Sequence, residues 1–299
     1  MESNKQSRNF LSKLLMWGLI CVTVVLTTVV IGALYYRYIR ESHATNPAYN
    51  VAAIVQTSSE GELLQTVYLA ELMELSINKP INLYRFNTKE AQSKLLASPL
   101  IKSASVKRVR PGTVHVDYAP RHPIAYLIDY SNTALDKEGY PFPFKPFFTP
   151  KNLPEIYLGL SVETVDTQAL WNQRIADKRM VLALEILNYV TKYYATPASH
   201  VKRVDVSQAF APSCGQRQIV VVMEDWKEQD KKGRSQLFQS PRILRLGFHT
   251  YKQGLANYKV LRGYFLQQEV VGEYQSKIVK LPMMTLDLRV DDLAFICYE

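Results

Sequence analysis

The sequence predicts a membrane-anchored α+β protein, and three observations carry that prediction. Leu14 to Tyr36 is a run of 23 residues without a charge, set close to the N-terminus. Roughly 70 residues beyond it read as one strand, two helices and two further strands, with apolar spacing switching between three-to-four and two. The remaining residues alternate short strands with two amphipathic helices and show no internal repeat.

The charge-free run reads as a transmembrane helix. At the helical rise, 23 residues reach roughly 35 Å, enough to cross a hydrocarbon core with some tilt. Val22 to Val30 is rich in β-branched residues, which are costly in a water-exposed helix. Trp17 near one end and Tyr35, Tyr36 and Tyr38 at the other suit the two membrane interfaces. A cleaved signal peptide is the competing reading, but its apolar region is shorter, about 7–15 residues, and no A-x-A-like site follows here. Lys5, Arg8 and Lys13, opposed by Glu2, precede the run; Arg37 and Arg40 follow, with Glu41 close behind. This one-residue bias predicts a cytoplasmic tail over 1–13 and a translocated C-terminal module. Residues 37–48 read as a polar linker.

Tyr49 to Gln56 reads as a strand, with Val51, Ala53 and Val55 alternating. Glu62 to Glu74 has helical spacing through Leu64, Val67, Tyr68 and Leu72. Asn87 opens a second helix, and Glu90 three residues later completes a capping box. Pro99 stops that helix. Ile101 to Arg110 and Thr113 to Tyr118 are strands joined by Pro111-Gly112, with Val114, Val116 and Tyr118 on one face. These elements make a unit over 49–120.

Beyond it, Ile124 to Tyr130 is a strand and Asp136 to Gly139 a turn. Five prolines across 141–154 argue against regular structure over most of that stretch. Asp177 caps a helix reaching Tyr194, with Met180, Leu184, Leu187, Val190 and Tyr194 on one face. Val201 to Val206, Gln218 to Glu224 and Arg242 to Phe248 are strands. Tyr251 to Gln268 is a helix with Leu255, Tyr258, Leu261 and Phe265 on one face. Met283 to Val290 turns at Asp291-Asp292 into a last strand, Leu293 to Tyr298.

The formal net charge of +9 favours an anionic neighbourhood such as lipid head groups without requiring nucleic acid. Lys231, Lys232 and Arg234 lie in a polar stretch that reads as a solvated hairpin loop. The five histidines are scattered, with no metal-like spacing, and no nucleophile elbow or phosphate loop occurs. Cys214 has no plausible base beside it. Glu224 and Asp225, consecutive on a strand, point to opposite faces. Cys214 and Cys297 are not expected to pair. No catalytic residue, metal or cofactor is implied.

Several segments, taken in order, resemble the FtsQ/DivIB family of bacterial cell-division proteins. Ser98-Pro99-Leu100-Ile101-Lys102-Ser103-Ala104-Ser105-Val106-Lys107-Arg108 is similar to its pattern of proline, branched, small, valine and basic residues. Arg110 to Val116 is similar to its Pro-x-Thr-hydrophobic strand. Arg121-His122-Pro123-Ile124-Ala125, Leu135-Asp136-Lys137-Glu138-Gly139, Leu244-Arg245-Leu246-Gly247 and Asp287-Leu288-Arg289 with Ala294 follow. The sequence departs from the pattern at Pro120, Val290 and Leu293, where the family has glutamate, tyrosine and glycine. Val290 bears most on function, because the family's tyrosine lies in a partner-binding region.

The resemblance implies a POTRA-type domain over 49–120 and, over 121–299, a second α+β domain with a twisted, mostly antiparallel sheet. It implies a non-catalytic scaffold at the division site of the inner membrane, binding FtsB/FtsL-like bitopic proteins and working with FtsK-, FtsW- and FtsI-like proteins. Nucleic acid and small-molecule substrates are not implied. The partner-binding residues would be Arg289, Val290, Leu293, Ala294, Phe295, Ile296 and Tyr298. Two readings of the last strand compete, covered core or an edge open to an added strand, and the resemblance favours the second. Arg289 likewise suits either a partner acid or an ion pair inside the hairpin. A POTRA-containing membrane-anchored chaperone or secretion component is the alternative function. Such modules come in tandem before a barrel, and no barrel-like strands follow here.

Overall fold

The computed structural model describes residues 3–58, 62–160, 171–231, 234–267 and 276–298. They divide into two compact units. The first contains a 43-residue helix, α1 (Ser3–Thr45). Most of the expected 1–13 tail is therefore helical. The helix also continues through residues 37–45, which the sequence suggested as linker. No glycine or proline interrupts Arg37 to Thr45, and its C-terminal end is capped from a distance. The side-chain amide of Asn82 donates to the carbonyls of His43 (3.1 Å) and Asn46 (3.0 Å). A helix end left without such partners carries unsatisfied carbonyls.

A short 3₁₀ turn, Pro47–Tyr49, leads to β1 (Ala53–Ser58). The helices α2 (Thr66–Leu72) and α3 (Thr88–Ala97) follow, then β2 (Ile101–Val109) and β3 (Thr113–Pro120). The strands form one sheet in the order β1-β3-β2, with β1 parallel to β3. Val114, Val116 and Tyr118 are buried on one face, as their alternation indicates. Asn87 caps α3 by accepting from the backbone of Lys89 and Glu90, while Glu90 accepts from the Asn87 amide rather than from its backbone.

Two local expectations are corrected here. β1 starts at Ala53, and its half-buried face is Ile54, Gln56 and Ser58, not Ala53 and Val55. Its register decides this, because Ile54, Gln56 and Ser58 sit opposite Val114, Val116 and Tyr118. The first helix is shorter than its spacing suggested. Leu64 is buried before the helix begins, Leu69 and Met73 form its inner face, and Val67 is exposed.

The second unit is built on a ten-stranded mixed sheet. Its strands are β4 (Ala125–Leu127), β5 (Thr133–Leu135), β6 (Pro141–Pro143), β7 (Glu155–Tyr157), β8 (Ser199–Asp205), β9 (Ile219–Lys231), β10 (Arg234–Leu246), β11 (Ile278–Lys280), β12 (Met284–Leu288) and β13 (Phe295–Tyr298). Along the sheet they run β13-β12-β10-β9-β8-β7-β4-β5-β6, and β11 also pairs with β10. Parallel pairings, such as β10 with β12 and β7 with β8, are nearly as frequent as antiparallel ones.

α4 (Lys178–Tyr193) and α5 (Tyr251–Gln267) contribute to the core. Asp177 caps α4 through the Arg179 amide. The buried stripe of α4 is wider than its spacing suggested and adds Leu182, Ala183 and Ile186.

Over 141–154 the chain is irregular, as its prolines indicate, except at β6, where Pro141 and Pro143 lie in a strand. β6 is the last strand of its sheet. Hydrogen bonds from Phe144 to Asn132 and from Asp136 to Tyr140 set the register. That register points the proline nitrogens away from β5, where a missing N–H costs nothing.

Both strands of the hairpin β9–β10 are longer than expected: β9 runs to Lys231 instead of Glu224, and β10 begins at Arg234 instead of Arg242 and ends at Leu246 instead of Phe248. Its outer half is polar, so no apolar alternation marks it. Lys231 and Arg234 close the two strands, whereas Lys232 and Gln268 lie outside the described residues.

Candidate functional site

The C-terminal hairpin ends the sheet. β13 pairs antiparallel with β12 through Met284–Tyr298, Thr285–Cys297, Leu286–Ile296 and Asp287–Phe295. Its other side pairs with no strand among the described residues. Every residue of β13 is exposed: Phe295 by 60%, Ile296 by 44% and Tyr298 by 64%. Val290, Leu293 and Ala294 in the preceding turn are exposed as well. The covered-core reading is thus excluded. Ile296 and Tyr298 lie on the face of buried Leu286; Phe295 and Cys297 lie on the face of Thr285 and Asp287.

Arg289 is held inside the hairpin. Its guanidinium donates to Asp287 through Nε (2.9 Å) and Nη2 (2.7 Å), and through Nη1 to the Gly215 carbonyl (3.0 Å). Asp287 is pulled two ways. Burial raises its pKa, but the hydrogen bonds from Arg289 outweigh burial and leave the carboxyl below its ordinary value. The same pairing raises Arg289. A groove beside this fork is lined by Cys214, Arg217, Phe248, Arg289, Val290 and Phe295. Six of the seven expected residues are exposed and one, Arg289, is half-buried. They cluster because the Asp291-Asp292 turn folds β13 back on β12.

Behind the hairpin lies a polar cluster that the sequence did not disclose. Asp225 on β9 is fully buried. Its Oδ1 accepts from Ser199 Oγ on β8 (2.6 Å) and Arg262 Nε on α5 (2.9 Å). Its Oδ2 accepts from Tyr258 Oη on α5 (2.8 Å) and Arg242 Nε on β10 (3.0 Å). Arg242 also stacks on Phe265, 4.7 Å from the ring centroid. Burial, and then the charge of Asp225, raises Tyr258 far above its usual value, so its hydroxyl stays a donor. One carboxylate thereby ties α5 and three strands into one block beneath the hairpin. Glu224 and Asp225 do lie on opposite faces of β9, as their adjacency on a strand predicts, but only the fold brings the four donors of Asp225 together.

Among the described residues, no group of three or more His, Cys, Asp or Glu gathers into a metal-binding arrangement. Cys214 and Cys297 are both free and exposed. In α1, Met16–Thr45 is long and apolar enough to cross a membrane, with a mean hydropathy of 2.3 and none of the window buried. Residues 65–117, covering both small helices and the β2–β3 hairpin, match the family model for the POTRA domain, FtsQ-type. An FtsQ-type POTRA domain following one apolar N-terminal helix supports an FtsQ/DivIB-like single-span protein. No match emerged among curated proteins. The FtsQ-type POTRA domain places this membrane protein in a division-related context, and such domains serve interactions between proteins.

Proposed function

We propose that this protein is a non-catalytic bitopic scaffold of the bacterial division machinery. Its N-terminus lies in the cytoplasm and its two folded units in the periplasm, at the division site of the inner membrane. The second unit binds a small coiled-coil membrane protein of the FtsB/FtsL type, and through it contacts the FtsW- and FtsI-like enzymes of septal peptidoglycan synthesis. An FtsK-like protein is a further partner.

The observation that carries this reading is β13, whose outer edge pairs with no strand among the described residues and which bears Phe295, Ile296 and Tyr298 in solvent. Such an edge is a template for strand addition, in which main-chain bonds supply affinity and alternate side chains supply specificity. With Arg289 committed to Asp287, the apolar side chains of β13 and of Val290 and Leu293 make the remaining contacts. Site-specific photocrosslinking in the native membrane tests this, with the probe at Phe295 or Tyr298 and a control at exposed Lys202. The expected product is a specific adduct to a small single-pass coiled-coil protein. Adducts to unfolded outer-membrane proteins would favour a chaperone or secretion role, and silence at both positions would refute the edge.

A further inference from the structure

The first unit gathers basic residues that are far apart in sequence. Arg37 and Arg40 lie on α1 just beyond the charge-free run. The base of the unit is the end bonded to that helix. Asn82 caps α1, Leu83 N–H donates to Tyr49 C=O (2.8 Å), and Ala52 N–H donates to Gly112 C=O (2.8 Å). These bonds set Arg85, and the β2–β3 turn with Lys107, Arg108 and Arg110, beside the end of α1. Arg110 is fixed there through rings. Its guanidinium lies 5.7 Å from the centroid of Tyr84, and Tyr84 stacks on His43 near the end of α1, with 5.3 Å between centroids. All six cations are exposed, and none forms an ion pair with a described residue. Across the three segments that make the base, 37–51, 81–86 and 107–116, Glu41 is the only acid. Charge of one sign concentrated in this way sets up a local positive field.

The height of this basic collar selects its partner. With the charge-free run ending at Tyr36, the helix through Thr45 rises roughly 13 Å above the hydrocarbon, against a head-group layer of about 5–7 Å. The base therefore stands about 6–8 Å above the head groups, comparable with the Debye length of about 8 Å at physiological salt. Arginine and lysine stems reach across such a gap and keep their charged ends in the polar layer. The helix itself holds the lipid surface in front of the collar, at a far higher effective concentration than any soluble anion.

We infer that this collar binds the head groups of anionic phospholipids in the membrane that α1 crosses. The inference rests on α1 being a membrane span and not on the division role. The test is photocrosslinking of the full-length protein in lipid nanodiscs, with the probe at Val109, exposed between Arg108 and Arg110. Exposed Ser103 is the control, on the same face of β2 but roughly 20 Å further from the turn. Discs of phosphatidylcholine containing phosphatidylglycerol are compared with discs of phosphatidylcholine alone. Phospholipid adducts at Val109 should be about fivefold more abundant with phosphatidylglycerol, should fall as salt rises, and should be scarce at Ser103. Arg108→Gln with Arg110→Gln should cut them about tenfold. Arg85→Gln with Lys107→Gln is a second pair that leaves the Arg110–Tyr84 stack in place, should the first disturb the fold. Equal adducts in the two lipids, silence at Val109 or indifference to both pairs of substitutions would overturn the inference. Alkaline extraction separates it from the reading beneath it. A chain released from native membranes refutes the span and the collar together, whereas a retained chain with a silent Val109 refutes the collar alone.

Discussion

Replacing Asp225 with alanine should cripple the second unit, and the cost can be worked from its partners. The carboxylate is fully buried and accepts four hydrogen bonds, two of them from arginines. Removing it leaves Arg242, 4% exposed, as a charge without its carboxylate in the core. Breaking a buried pair by deleting one partner costs about 3–5 kcal/mol, because the surviving charge keeps its desolvation penalty. A typical domain has only about 5–15 kcal/mol in total. For a unit of this size, each kcal/mol moves the melting temperature by about 2–4 °C, so Asp225→Ala should lower it by roughly 10 °C. Thermal unfolding of the full chain in detergent, read by fluorescence at Trp226, measures this. Trp226 reports locally, being next to Asp225 and donating through Nε1 to His200 (3.1 Å).

The decisive arm is the double variant Asp225→Ala/Arg242→Met. Removing both charges together eliminates the stranded guanidinium, so the pair should be more stable than Asp225→Ala alone. If the double variant is less stable than the single one, or if Asp225→Ala costs under about 1 kcal/mol, the account of a charge-bound core is wrong.

The Asp287–Arg289 fork predicts a pH dependence. The folded carboxyl lies below its unfolded value of about 3.9, so its stabilisation is complete above that pH and disappears as pH falls through the folded value. The hydrogen-exchange protection of the C-terminal hairpin, corrected for the intrinsic pH dependence of exchange, should fall below about pH 4, and Asp287→Asn should remove that component. At the membrane joint, Asn82→Ala removes two bonds to the end of α1 and should cost about 1–2 kcal/mol. Spin labels at Arg40 and Lys89 should give one narrow distance distribution in the parent chain and a broader one in the variant; equal widths would reject the capping role.

Local chemistry made much of this protein legible. A charge-free run of 23 residues is a membrane signal wherever it falls, because burial of charge in lipid is costly without any tertiary context. Asp177 and Asn87 announced helix starts because a cap acts within three residues of itself. Val114, Val116 and Tyr118, and the stripe of Leu255 and Tyr258, showed their buried faces through backbone periodicity alone. The resemblance to the FtsQ/DivIB family was legible for the same reason, resting on short segments met in order, and the FtsQ-type POTRA match falls where two of those segments lie.

Tertiary structure alone decided the rest. The burial of Asp225 was not legible, because nothing near it in sequence reveals donors from residues 199, 242, 258 and 262. The inward face of β1 depended on its register with β3, some 60 residues away. Arg37 to Thr45 became part of a continuous helix whose cap comes from Asn82. The state of β13 was open for the same reason. An apolar strand of four residues has one composition whether covered or bare, and its position as the last strand of the sheet left it exposed.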